Sequence, residues 1–234
     1  MGLSQRLKEN LRRVQLRIDQ AAERGGRNPQ DVRLIAVTKY VEADVVRALV
    51  GVGCRELGES RPQVLWEKST RVQDLDIHWH LIGHLQRNKI RRTMTVARLI
   101  HSVDRIRLAQ AIHAAAEENG RAVRCLLQIN ISGEANKHGF APDELEAVLP
   151  QVAACPRLHV VGLMGMASRS PDPERVRHEF RTLRGLRDRW AGFDAENIDL
   201  CELSMGMSGD FEIAIEEGAT LVRIGSLLFD GIAQ

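Results

Sequence analysis

The 234 residues predict an α/β fold: one closed (βα)8 barrel of the TIM type with an extra N-terminal helix, occupying residues 1–234 as a single domain. Three observations carry that expectation. Short apolar runs alternate with helix-like segments at roughly 25–30 residues per unit, the size of one βα repeat in an eight-fold barrel. Several runs are apolar almost throughout, which suits parallel strands buried on both faces. No composition shift or Pro/Ser-rich linker interrupts the series.

The elements follow in order. Leu3, Leu7, Leu11, Val14, Ile18 and Ala22 recur at three- and four-residue spacings among charged residues, predicting an amphipathic helix that stops at Gly25-Gly26. Asn28-Pro29 opens a loop. The first strand is expected over 33–37, with a helix over 42–50. The second covers 54–57 and ends in Gly58-Glu59-Ser60, before a helix over 62–72. Strand three (77–81) leads to Gly83 and a basic segment through Arg92. Strand four (99–102) precedes a helix over 104–119 that Gly120 closes. Strand five (123–131) runs into a loop with Gly133, Asn136 and Gly139, then a helix over 142–152. Strand six (158–163) and a helix over 174–190 come next. Strand seven (200–203), a helix over 210–217 and strand eight (220–224) complete the barrel before a short tail.

Composition narrows the function. Charged residues are 27% and hydrophobic ones 44%, as in soluble globular proteins. A formal charge of +2, one tyrosine and five phenylalanines supply neither the field nor the stacking platforms that nucleic acid requires. The cluster Arg87, Lys89, Arg91 and Arg92 reads as a solvated helix face. No apolar run approaches the ~18 residues of a membrane span, so no membrane association is expected. Arg6 stands where a myristoylation signal needs Ser or Thr, and Glu9, Asp19 and Glu23 argue against a transit peptide. The four cysteines lack any Cys-x-x-Cys spacing. Free thiols in a reducing cytoplasm are the expectation.

In barrels of this kind chemistry sits where the strands end, which gathers Lys39, Glu59, His84, Asn130, Met164, Ser204 and Arg223 to Ser226 around one mouth. Lys39 follows Leu34-Ile35-Ala36-Val37-Thr38 directly. Enclosed by apolar groups, such an amine is disfavoured as an ammonium and becomes a nucleophile able to form a Schiff base with an aldehyde. The competing reading is a strand-end lysine whose head reaches water while its stem packs. Gly225-Ser226 beyond strand eight and the segment 204–210 beyond strand seven form a candidate phosphate cradle, because glycine admits an anion close to backbone N–H groups. Ser208 also reads as the N-cap of the next helix. His78, His80 and His84 would form a metal site only with a carboxylate or another histidine from a different strand end. They are read as structural, and no metal is expected.

Taken together, several segments resemble one family, the pyridoxal phosphate (PLP) homeostasis proteins, single-domain relatives of the fold type III alanine racemase barrel. The matching stretches are LIAVTKY at 34–40, WHLIGHLQRNKIR at 79–91, IHSVDR at 100–105, LLQINISGEANKHGF at 126–140, GLMGMAS at 162–168 and LSMGMSGDFEIAIEEGATLVRIGSLLF at 203–229. Two positions depart from the usual pattern: Ser60 stands where many relatives carry asparagine, and Asp230 interrupts a Phe-Gly pair. The resemblance implies that Lys39 carries PLP as an internal aldimine, that Ser204, Gly225 and Ser226 bind its phosphate, and that Arg223 faces the pyridine nitrogen. A permanent cation there disfavours ring protonation and weakens the cofactor as an electron sink. Racemase relatives place a lysine on one face of the substrate carbon and a partner subunit's second-domain tyrosine on the other. Here Tyr40 is the only tyrosine, and no residues remain for such a domain. The expected function is therefore to hold, buffer and deliver PLP to apo PLP-dependent enzymes as a monomer, with no catalytic residue assigned. Two rivals are a minimal PLP-dependent racemase using Glu59 or a histidine as second acid/base, and a sugar-phosphate isomerase or aldolase using Lys39 without PLP.

Overall fold

Eight strands close into a parallel barrel in the computed structural model, which describes residues 2–134 and 137–232. They are β1 (Arg33–Val37), β2 (Glu56–Glu59), β3 (His78–Leu81), β4 (Ala97–Val103), β5 (Val123–Ile129), β6 (Leu158–Gly165), β7 (Ile198–Ser204) and β8 (Leu221–Ile224). Each strand pairs with its neighbour in sequence, and β8 returns to β1 in the register Ile35↔Arg223 and Ala36↔Ile224. The surrounding helices are α1 (Leu3–Arg24), α2 (Ala43–Gly51), α3 (Pro62–Arg71), α4 (Ile90–Thr93), α5 (Ile106–Glu118), α6 (Leu145–Ala153), α7 (Pro173–Trp190) and α8 (Phe211–Glu216). The expected architecture is the observed one. Asn136, expected in the loop after β5, lies outside the described residues.

Strand alternation sorts the side chains into two layers. Ala36, Leu57, Trp79, Leu81, Ile100, Leu163 and Val222 join the large core between sheet and helices. Ile35, Leu99, Leu126, Val161, Met164 and Leu221 form a smaller cluster inside the barrel. The inner cluster does not fill the lumen; His80, His101, Ser204 and Arg223 are buried as well.

The N-terminal helix is part of the fold. It buries Leu7, Val14, Ile18, Ala21 and Ala22 and packs against α2 and α8. Full burial is worth about 1.5–3 kcal/mol for each large aliphatic side chain. Asn10, buried within that face, donates from Nδ2 to the carbonyls of Leu228 and Asp230, both at 3.0 Å. Arg13 adds an ion pair to the Asp230 carboxylate at 3.1 Å, so the unusual Asp230 helps clasp the C-terminal turn to α1. The basic segment after β3 is solvated as expected, with Arg87, Arg91 and Arg92 exposed, and Arg92 and Lys89 also lie over the Trp66 ring, 4.7 and 5.6 Å from its centroid. Cys54, Cys125 and Cys155 are buried, Cys201 is exposed, and all four are free thiols. Among the described residues no helix is long and apolar enough to cross a membrane.

Candidate functional site

The β1–β8 seam sets the site. Because Ala36 pairs with Ile224, the next residues along, Val37 and Gly225, come side by side. A Cβ built on Gly225 would lie 3.3 Å from the Val37 carbonyl oxygen and 3.4 Å from Val37 Cβ, so the last loop rests directly on the strand that leads to Lys39. Thr38 pins that strand end. Its N–H donates to the Gly58 carbonyl (3.0 Å), its hydroxyl donates to Glu59 Oε1 (2.7 Å), and its carbonyl accepts from Lys68 Nζ (2.6 Å). Lys68 Nζ also meets Glu59 Oε1 at 2.7 Å, and both side chains are almost wholly buried.

Lys39 emerges just past this anchor, and its surroundings differ from the expectation. The side chain is exposed rather than enclosed by apolar walls, with Nζ 4.7 Å from the centroid of the exposed Tyr40 ring. The cause is positional: Thr38, the first residue past β1, is buried, and the chain turns outward at Lys39 and Tyr40. The strand-end lysine whose head reaches water is the arrangement found.

Arg223, inward-facing on β8, lies across the barrel lumen. Its Nη1 donates to Ser204 Oγ at the end of β7 (2.6 Å), and its Nη2 donates to the Gly165 carbonyl at the end of β6 (3.1 Å). Burial pulls the guanidinium down to about 10, with Asp210 opposing, so it remains a fixed cation at neutral pH. Below it runs a continuous hydrogen-bonded chain. Ser204 Oγ lies 2.9 Å from His101 Nδ1; His101 Nε2 lies 2.9 Å from His80 Nδ1; His80 Nε2 lies 2.6 Å from Glu56 Oε2. The Glu56 carboxylate can only accept, so with neutral imidazoles His80 Nε2–H donates to Glu56, His101 Nε2–H donates to His80 Nδ1, and the Ser204 hydroxyl donates to His101 Nδ1 while accepting from Arg223. This pattern needs both histidines neutral. Burial lowers the pKa of His80 and of His101, the latter strongly, as the pattern requires. Burial opposes ionisation of Glu56, yet the bonds from His80 and His78 hold its carboxyl at about 2. A buried cation at the mouth is thus linked through three side chains and four hydrogen bonds to an anion at the start of β2.

Ser204, implied by the resemblance to bind the phosphate, is wholly buried at the end of β7, where its hydroxyl is engaged by Arg223 and His101. Gly225 and the exposed Ser226 do sit at the rim, where the N–H groups of Leu228 and Phe229 turn back onto the Gly225 carbonyl. Ser208 also takes a different place from the helix cap expected of it. Asp210 occupies the cap position of α8, and Ser208 Oγ accepts from the Gly225 N–H at 3.3 Å, tying the β7 loop to the β8 loop. Gly206 makes the β7 loop possible: its φ is +90°, and a Cβ would come within 2.6 Å of Ala214 Cβ and 2.9 Å of Phe211 Cα. His78 and His80 share the Glu56 carboxylate, consistent with structural histidines.

Sequence reasoning missed three participants. His101 carried a readable signal, two residues from Leu99 and therefore on the same inward face. Lys68 falls on the Leu65–Val72 apolar stripe of α3, where a charge needs a buried partner. Glu56 gave no signal of its own.

With this geometry in place, similarity to known proteins is specific. The model of the alanine racemase N-terminal domain matches residues 4–232. The pyridoxal phosphate homeostasis protein of Aquifex aeolicus is 42% identical over 221 residues, covering 94% of this chain and 96% of that protein. PipY of Synechococcus elongatus, solved with PLP bound, superposes with a TM-score of 0.83 at 33% identity, covering 95% of this chain and 99% of that one. An alanine racemase of Clostridium difficile has a TM-score of 0.72 at 14% identity, covering 98% of this chain and 57% of that one, a likeness of fold alone. The chain belongs to the pyridoxal phosphate homeostasis proteins, within the alanine racemase N-terminal domain family.

Proposed function

We propose that this chain holds PLP covalently on Lys39 and acts in intracellular PLP homeostasis as a carrier and buffer without substantial turnover. The observation that carries the reading is the β1–β8 seam, which sets Lys39 and Gly225-Ser226 on adjacent strand ends, with the buried cation of Arg223 reaching from β8 to Ser204 on β7. The fit to the cofactor is chemical. PLP supplies an aldehyde that condenses with an amine, and Lys39 presents an exposed amine at the rim. Gly225, lacking a Cβ, lets the β8 loop close directly onto Val37 beside Lys39, and Ser226 offers an exposed hydroxyl at that rim for an oxyanion. Arg223, remaining charged at neutral pH, would face the ring nitrogen of the bound cofactor and would disfavour its protonation. An unprotonated ring withdraws electrons poorly from a substrate carbon, which favours storage over catalysis.

The minimal-racemase alternative requires a second acid/base. Glu59, the carboxylate weighed for that role, is buried and already paired with Lys68 and Thr38. Tyr40 stands beside Lys39. Both observations favour the carrier reading. In that reading the partners are PLP and the apo-enzymes that receive it, and the chain works as a monomer in the cytoplasm.

The test is borohydride reduction of PLP-loaded protein followed by peptide mass spectrometry. The expected result is one pyridoxyl adduct, on Lys39, that Lys39→Ala abolishes while circular dichroism stays unchanged. An adduct on another lysine would overturn the assignment. Rapid exchange of amino-acid α-protons with deuterated solvent would overturn the carrier reading.

A further inference from the structure

A second cluster occupies the same mouth on the wall formed by β3, β4 and β5. His84 follows β3, Asp104 follows β4, and His138 stands in the loop after β5. One ligand atom from each lies within 4.8 Å of the other two. His84 Nδ1 is 3.3 Å from Asp104 Oδ2, and His138 Nδ1 is 3.7 Å from that same oxygen. The two imidazoles stack with centroids 4.8 Å apart and planes 27° from parallel. The metal reading of the histidine-rich stretch after β3 lacked a carboxylate and a further histidine from other strand ends. Folding supplies both, to His84 rather than to His78 and His80.

We propose that His84, Asp104 and His138 form a binding site for a first-row divalent cation of the zinc class. Bonds of about 2.0–2.2 Å to a tetrahedral ion place ligand atoms about 3.4 Å apart, which lies between the two carboxylate–imidazole distances of 3.3 and 3.7 Å. Two imidazoles and one carboxylate also suit this class of ion better than magnesium or calcium, which take oxygen ligands. Asp104 is nearly buried, and its other oxygen, Oδ1, is held by Arg105, which fixes the carboxylate with Oδ2 turned to the imidazoles. Arg105 also brings a positive charge close to the site and so weakens affinity. His138, with its side chain 65% exposed, is the ligand with most room to close on the ion, and the remaining coordination positions open to water. The site is independent of PLP: it uses neither Lys39 nor Arg223.

The experiment is isothermal titration of zinc chloride into tag-free, chelator-stripped, PLP-loaded protein, beside His84→Ala and His138→Ala. Both histidines are partly or largely exposed, and circular dichroism confirms that the variants fold. The expected result is one equivalent bound by the parent protein and an affinity lower by at least about tenfold in each variant. Zinc held instead by the cofactor or by the exposed Cys201 would survive both substitutions with unchanged affinity. That outcome, or no binding by the parent protein up to millimolar zinc, overturns the proposal.

Discussion

Replacing Lys68 by methionine tests how the end of β1 is held beneath Lys39. The substitution keeps most of the stem volume and removes only the ammonium, which lies 2.7 Å from Glu59 Oε1 and 2.6 Å from the Thr38 carbonyl. The Lys68 side chain is 9% exposed and that of Glu59 1%, so water cannot replace the lost partner. Removing one member of a buried pair strands the other, at a cost of about 3–5 kcal/mol. For a chain of this size each kcal/mol lowers the melting temperature by about 2–4 °C, giving a fall of about 6–20 °C. The double variant Lys68→Met/Glu59→Leu removes both charges and regains most of the loss. About 1 kcal/mol remains for the Thr38 hydroxyl left without its acceptor. Thermal unfolding followed by circular dichroism reads both numbers. A shift under about 3 °C in the single variant, or a double variant no more stable than the single, would refute the account of a buried pair anchoring this strand end.

Two further outcomes are expected. Gly225→Val places branched methyls against the Val37 backbone at the seam, and PLP retention measured by equilibrium dialysis falls; unchanged retention would show that the phosphate binds elsewhere. Acid titration tests the buried chain: His80 and His101 have pKa values depressed below that of an unfolded histidine, and Glu56 is held at about 2 against 4.5. In every case the unfolded chain binds the proton first, so stability falls as pH drops. The loss begins below about 6.5 through the histidines and steepens between about 4.5 and 2 through Glu56. Because Glu56 is partly solvent-screened, Glu56→Gln flattens only part of that lower limb, and a limb identical to the parent's would remove Glu56 from the chain.

The barrel was legible because its signal repeats: eight short apolar runs, alternating with helix-like segments, leave few other topologies. Boundaries slipped where the closed sheet overrode local propensity. The second strand is expected over 54–57, yet it runs from Glu56 to Glu59, because β2 has strand neighbours on both sides and Lys68 neutralises Glu59. The rim of the site was legible through Lys39, Gly225 and Ser226, whose chain neighbours alone place them at strand ends. The exposure of Lys39 was not, since it depends on the chain turning outward directly after Thr38. Nor were the pairings among Ser204, His101, His80 and Glu56, which come from four different strands. A linear sequence gives the parity of each side chain along its own strand, but not which inward groups meet at one height in the lumen.

The hydrogen-bond chain through the lumen has a single polarity, set by a donor-only group at one end and an acceptor-only group at the other. Its members therefore cannot be altered one at a time: reversing any one proton leaves two donors or two acceptors facing each other in a dry interior. Glu56, 25% exposed at the strand starts, is the member most open to solvent and the one through which acid can act on the rest. The guanidinium at the mouth is thereby hydrogen-bonded, through Ser204, His101 and His80, to a carboxylate that solvent reaches from the opposite end of the barrel.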